Sequence, residues 1–384
     1  MVQAHLALPV ELTAARDLAV LDALAACWPD LPQCAAFEQQ GGIVTVARRS
    51  HWLTLSLSSR ADRLPVLLDT VAAVVRADYP KERVRAATSK SAQQAALAAA
   101  QPAVHTSRRM WEQHYGAVPL FAEPAPSPHD AASVTADEVT AAHRAQVVPG
   151  GALLVLCGDL DEDRTAELVR ARLDGWAPGA GARPTRPTPS SRREVRTVRV
   201  SGLAQDHLRL SAESFPRTDL ARYAAAQVAS LILGGSFSSR INTLLREELG
   251  LAYRTVALVA DHVDGDVFAI EADVRAGAGG EAMNRLLDML DNFAEHGPTE
   301  RELAEAVGHI TGKYALNLGS QHGRAACLLS YLTLGLPIEA IAGLPREVAK
   351  LTREDVREAA GLYRRELLSG VLCGDGDGLA ERWN

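Results

Sequence analysis

Several things are scarce in this sequence of 384 residues, and each scarcity removes a class of function. Aromatic residues make up only 5% of it. Five cysteines stand at 27, 34, 157, 327 and 373, odd in number and with no CxxC pair. That pattern excludes a disulfide framework and reads as reduced, mostly buried thiols of a cytoplasmic protein. No apolar run approaches the ~18 residues of a membrane-crossing helix. The opening MVQAHLALPVELTAARD has no basic stretch before an apolar core, so no secretory signal is expected. There is no excess of positive charge either: 40 basic against 47 acidic residues give −7, which argues against a nucleic-acid or anionic-membrane surface. Finally, none of the eleven histidines lies four residues from another.

What the chain does have is a long internal echo. VLCGD occurs at 155–159 and again at 371–375. Thr135-Ala-Asp-Glu-Val139 returns as Thr352-Arg-Glu-Asp-Val356, and both read as a helix start, with a capping Thr and an acid three residues on. Gln3-Ala-His5-Leu6 returns as Gln205-Asp-His207-Leu208, and Pro80-Lys-Glu82-Arg83 as Pro298-Thr-Glu300-Arg301. The order is kept while the offset drifts, as loop insertions in a duplicated domain would leave it. The period is the size of a whole domain, not of a solenoid repeat.

Between the copies, APGAGARPTRPTPSSRR at 177–193 is too rich in Pro and Gly for a periodic element and reads as an exposed linker. The expected division is therefore 1–176, linker 177–193, and 194–384. In each copy a strand leads to an Ala-rich helix, a strand pair, two long helices, and a closing helix and strand. Leu53, Leu55 and Leu57 alternate as in a half-buried strand, and Leu64, Leu67, Leu68, Val71 and Val75 follow helical spacing. The fold class is α+β: two tandem homologous domains, each a mostly antiparallel sheet with helices packed on one face. An extra strand has a candidate at 194–203 in the second copy and no counterpart in the first.

The most informative stretch is LGGSFSSRINTLLREELGLAY at 233–253. Gly234-Gly235-Ser236 opens a flexible loop, and Ser238 or Ser239 could cap a helix starting at Arg240. That helix would bury Ile241, Leu244, Leu245 and Leu249 and stop at Gly250. Arg246 at its end and Tyr253 beyond the turn could form a donor pair for a peptide carbonyl or an oxyanion. Equally, Arg246 could be one more solvated charge and Tyr253 a half-buried sheet residue. His105 and His114, nine apart around a helical HTSRRMWEQH, do not share one face well and read as surface residues. Gly374-Asp-Gly-Asp-Gly378 lacks the later Glu of a calcium loop and reads as a turn.

LGGSFSSRI followed by LREELGLAY resembles the second-domain motif of pitrilysin- and insulinase-type zinc metallopeptidases, mitochondrial processing peptidase among them. HYGAVPL at 114–120 and the tandem organisation extend the resemblance over nearly the whole chain. The resemblance implies the metallohydrolase type of fold, and that Arg246 and Tyr253, seven apart, reach substrate at a zinc site. It also implies substrate contacts at Gly234, Gly235 and Ser236, and a peptide-binding edge strand at Gly42, Ile43 and Val44. The family's H-x-x-E-H is missing, however. Its ligand and base positions become Val20, Ala23 and Leu24, and the later acid becomes Gln93 or Gln94. No metal or other cofactor is expected on this chain, and none of its own activity. The resemblance implies a heterodimer with an H-x-x-E-H subunit that carries the zinc, acting on peptides or leader peptides. The alternative is a non-catalytic scaffold or peptide-binding subunit.

Overall fold

Alternation along two strands organises the structure. In β1 (Val2–Pro9), Ala4, Leu6 and Leu8 enter an apolar core while Gln3 and His5 point the other way, yet every residue of the strand is buried. The computed structural model describes residues 1–123, 125–183, 189–190, 193–260 and 267–374. After β1 the first half continues α1 (Ala15–Cys27), α2 (Pro32–Gln39), β2 (Ile43–Arg49), β3 (Trp52–Ser59), α3 (Leu64–Val75), α4 (Lys81–Ala99), α5 (Pro102–Tyr115), α6 (Pro128–Ser133), α7 (Ala136–Gln146), β4 (Leu153–Gly158) and α8 (Glu162–Leu173). The second half runs β5 (Val195–Arg199), β6 (Gln205–Glu213), α9 (Leu220–Ser230), α10 (Arg240–Asn242), β7 (Ala252–Ala260), β8 (Val267–Arg275), α11 (Gly279–His296), α12 (Glu300–Gly319), α13 (Gln321–Thr333), α14 (Ala340–Val348), α15 (Arg353–Ala360) and β9 (Ser369–Gly374). Of the stretch 177–193, residues 184–188 and 191–192 lie outside the described residues, as does the Gly374–Gly378 turn beyond Gly374; the described remainder of 177–193 has neither helix nor strand.

Two compact units result. One comprises the described residues of 1–100, 123–185 and 315–341, the other those of 101–122, 186–314 and 342–384. Each therefore contains a segment from the other half of the sequence. The first unit has a four-stranded antiparallel sheet ordered β2-β3-β1-β4. The second has β5-β9-β6-β8-β7, antiparallel except for the parallel pair β5–β9. The fold is α+β. The repeat is legible in the caps: Thr135 and Thr352 each accept a backbone N–H from the acid three residues on, and each acid returns a bond to the Thr backbone. The central pairings differ by two residues. His207 lies opposite Cys373, but His5 lies opposite Val155 and not Cys157. An even slip leaves every side chain on its own face, so both copies keep their cores.

Both central strands are buried on both faces because a helix covers the polar side of each. In the first unit α13 lies over β1 and β4. In the second α5 lies over β6 and β9. This overturns the surface reading of His114. It is 1% exposed, with Nδ1 3.1 Å from Ser211 Oγ on β6, because α5 turns its His114 face to the sheet. His105 on the same helix is exposed. Arg209, also 1% exposed, bonds Asp273 at 3.0 Å and reaches Ser107 of α5 at 3.1 Å. His207 and Arg209 together hold the Asp273 carboxyl below its usual range against the opposing effect of burial.

A buried polar chain ties the first unit together. His143 Nε2 lies 3.1 Å from the Val75 carbonyl, so that nitrogen carries the hydrogen. Nδ1 then accepts from the Tyr79 hydroxyl at 2.8 Å, and the Tyr79 oxygen accepts from Trp28 Nε1 at 3.1 Å. Burial pushes the His143 pKa down and the Tyr79 pKa up, so both stay neutral. Tyr79→Phe leaves two buried groups without partners and is expected to cost about 1–3 kcal/mol in denaturant unfolding. Since the folded His143 pKa is depressed, its contribution is present above the unfolded value of 6.5 and is lost as pH falls through the folded one. Stability should decline as pH falls below the unfolded value of 6.5, and a profile flat on the acid side of it would count against a neutral buried His143.

Candidate functional site

The second unit carries an open depression of about 490 Å³ lined by Gly234, Gly235, Ser236, Phe237, Arg246 and Tyr253, among others. Five of these six are residues singled out in the sequence. Gly234 and Gly235 end a single π turn, Leu231–Gly235, that continues α9. A Cβ on Gly234 would stand 2.5 Å from the Ala257 nitrogen, so the turn lies directly on the backbone of β7. Only glycine allows that approach.

Arg246 is carried differently from the helix expected. The α-helix from Arg240 lasts three residues and passes into a second π turn, Thr243–Glu248. Ile241 and Leu245 are fully buried, Leu244 and Leu249 half so. Gly250 ends the turn with φ +62°, the left-handed conformation that Gly41 repeats with φ +82° after α2. Ser239 sits at the cap position, but its buried hydroxyl makes no cap bond. The start of α10 is held instead by Arg240, which forks onto Glu302 at 2.6 and 2.7 Å and lies 4.6 Å over the Phe293 ring. Burial opposes the Glu302 charge, but Arg240 and the Thr299 N–H and hydroxyl outweigh it and bring its carboxyl down to about 2. Arg240 was not singled out in the sequence as an anchor, since its partner lies 62 residues away.

Tyr253 owes its position to a bulge. Ala252 pairs with Val274 and Arg254 with Asp273, leaving Tyr253 as an extra residue with no partner opposite. Ala257 and Val259 face the core, and an unbroken two-residue period would send Tyr253 inward as well. The bulge resets that parity, so Ala252 turns inward and Tyr253 is 82% exposed. The half-buried alternative does not hold. No carboxylate among the described residues pairs with Arg246, whereas neighbouring Arg254 is matched by Glu271 at 3.0 Å and Asp273 at 3.8 Å. The site thus offers a guanidinium and a phenol from adjacent elements, both open to solvent.

The remaining candidates lie in the first unit. Gly42 precedes β2, an edge strand that begins with Ile43 and Val44, and Ile43 is exposed. Gly42 backs onto the Phe37 ring, where a Cβ would clash at 2.3 Å. Val20, Ala23 and Leu24 are buried in the core on α1, and Gln93 and Gln94 are exposed on α4. These residues do not fit zinc: three are hydrocarbon, and the two amides replace the acid and are exposed. Among the described residues no group of three or more His, Cys, Asp or Glu could hold a metal. No helix among them is long and apolar enough to cross a membrane.

The fold is of the type found in M16 peptidase domains. Residues 133–308 match the peptidase M16 inactive domain. Over nearly its full length the chain superposes on a peptidase M16 inactive domain from Pseudomonas fluorescens (TM-score 0.85, 20% identity, 97% of this chain and 92% of that one). It superposes as well on a protease from Helicobacter pylori (TM-score 0.86, 15% identity, 97% and 94%). An uncharacterized zinc protease of Streptomyces coelicolor is 31% identical over 254 residues, covering 62% of this chain and 54% of that protein. Residues 133–308 thus resemble the pitrilysin/insulinase-type family, and the chain spans about half the length of the curated relatives it matches. The match to an inactive domain and the apolar residues on α1 fit a chain without zinc of its own.

Gly234→Ala tests how the site is built. The added methyl must push the π turn off β7, at an expected cost of about 1–3 kcal/mol in unfolding free energy. An unchanged stability would mean that the turn and the strand are not in contact.

Proposed function

We propose that this chain is the non-zinc-binding subunit of a heterodimeric zinc metallopeptidase. The observation that carries the reading is an asymmetry. Arg246 and Tyr253 are presented together, exposed and without a carboxylate partner, while Val20, Ala23 and Leu24 are hydrocarbon in the core. A chain of this family that keeps the donor pair and lacks the ligands has a use for the pair only at another chain's metal. That other chain would be a homologous H-x-x-E-H subunit, which would supply the zinc and its water. From this chain, Arg246 and Tyr253 would bind the scissile carbonyl in register and donate to the oxyanion as it forms. Gly234, Gly235 and Ser236 leave room beside them for a peptide backbone. A peptide could add to the β2 edge at Ile43 and Val44 through main-chain hydrogen bonds, with alternate side chains setting preference. The substrate is then a short or unfolded peptide, such as the leader of a small precursor, processed in the cytoplasm.

The second reading, a scaffold or peptide-binding subunit without a catalytic part, is favoured by the match to an inactive domain. Tyr253→Phe and Arg246→Ala decide between the two. In this chain co-expressed with an H-x-x-E-H homologue, each is expected to lower turnover of an unstructured peptide by about 10²–10³-fold, with the assembly intact by gel filtration. Unchanged turnover in both would support the scaffold reading.

A further inference from the structure

Phe237 is an anomaly in a chain with few aromatics: its ring is 68% exposed and belongs to neither core. Its neighbour is the Arg246 guanidinium, centred 4.7 Å over the ring. Arginine on an aromatic face gains attraction from the ring's quadrupole, and a flat guanidinium resting on a flat ring loses much of its freedom to swing. The ring can serve in this way only if its own backbone is held. Asn242, 6% exposed, does that: its Nδ2 donates to the Phe237 carbonyl. The other end of the same amide accepts from the Thr255 hydroxyl at 3.5 Å. Thr255 lies two residues past Tyr253, on the strand whose bulge sets the phenol outward. One buried amide therefore joins the loop beneath Arg246 to the strand that carries Tyr253.

We infer that Asn242 is a positioning residue and Phe237 its platform, together fixing Arg246 relative to Tyr253. The inference rests on the donor role proposed above for that pair. An unpaired arginine on a short π turn would otherwise sample many rotamers, and each hydrogen bond it made would cost that freedom. Held on the ring, it keeps one direction before substrate arrives, as transition-state donors require.

The direct test uses this chain alone. In protein labelled with ¹⁵N-arginine, the Arg246 side-chain signal, assigned by its loss in Arg246→Lys, should be displaced by the Phe237 ring current. Phe237→Leu should return it to the ordinary arginine position. Asn242→Asp keeps the shape and the acceptor toward Thr255 but cannot donate to the Phe237 carbonyl, and it should return the signal as well. An undisplaced signal in the unmodified chain, or a displacement that survives Asn242→Asp, overturns the inference. If Asn242→Asp does not fold, the exposed Phe237→Leu change still decides. In the reconstituted peptidase, Phe237→Leu and Asn242→Asp should lower kcat by about 10–100-fold with KM little changed. Ring-current results as expected, with turnover insensitive to Arg246 and Tyr253, would leave the clamp standing and remove the donor role.

Discussion

Everything at the site depends on one contact without a side chain, that of Gly234 on the backbone of β7. Because the end of the first π turn touches the strand directly, the chain must leave it at once through Gly235 and Ser236. It then re-enters a short helix and reaches β7 after a second π turn. Each π turn inserts a residue relative to a regular helix and so rotates the residues after it. The bulge at Tyr253 adds one more residue on the strand side. Three local irregularities, each of which weakens a regular element, converge on two exposed donors. Irregular backbone concentrated in one place is characteristic of sites, and its support here lies in Arg240 on Glu302 and Asn242 on Phe237.

The rest of each unit is built around a covered sheet. The central strands β1 and β6 are buried on both faces, and that requires a cover on the polar side. It comes from α13 in the first unit and α5 in the second, each drawn from the other half of the sequence. Groups on the polar faces bond one another, His5 Nδ1 with Ser56, His114 Nδ1 with Ser211, and His207 and Arg209 with Asp273. These groups resemble catalytic clusters in composition, but they are bonded to one another beneath a helix. Arg246, by contrast, is exposed and has no carboxylate partner among the described residues.

The apolar trio on α1 bears on function in the same physical terms. Val20, Ala23 and Leu24 are not an empty ligand set awaiting an ion. They are packed against the core of their unit, and a charged or imidazole side chain in their place would have to be desolvated there. The chain thus keeps an exposed guanidinium and phenol while the α1 positions are closed to a metal.

Much of this was written in the sequence. The echo of QAHLAL in QDHLRL and of VLCGD in its copy, with their Thr caps, determined the duplicated α+β plan, because those signals are local: period, cap and turn. The LREELGLAY motif and the missing H-x-x-E-H, read through the family resemblance, singled out Arg246, Tyr253, Val20, Ala23 and Leu24. The tertiary structure decided the rest. It buried His114 where helical spacing put it at the surface, since which helix covers which sheet depends on residues a hundred positions apart. It turned Tyr253 outward by a bulge that no pattern of residues announces, and it made Arg240, Phe237 and Asn242 partners of the site through contacts that exist only once the chain has closed on itself.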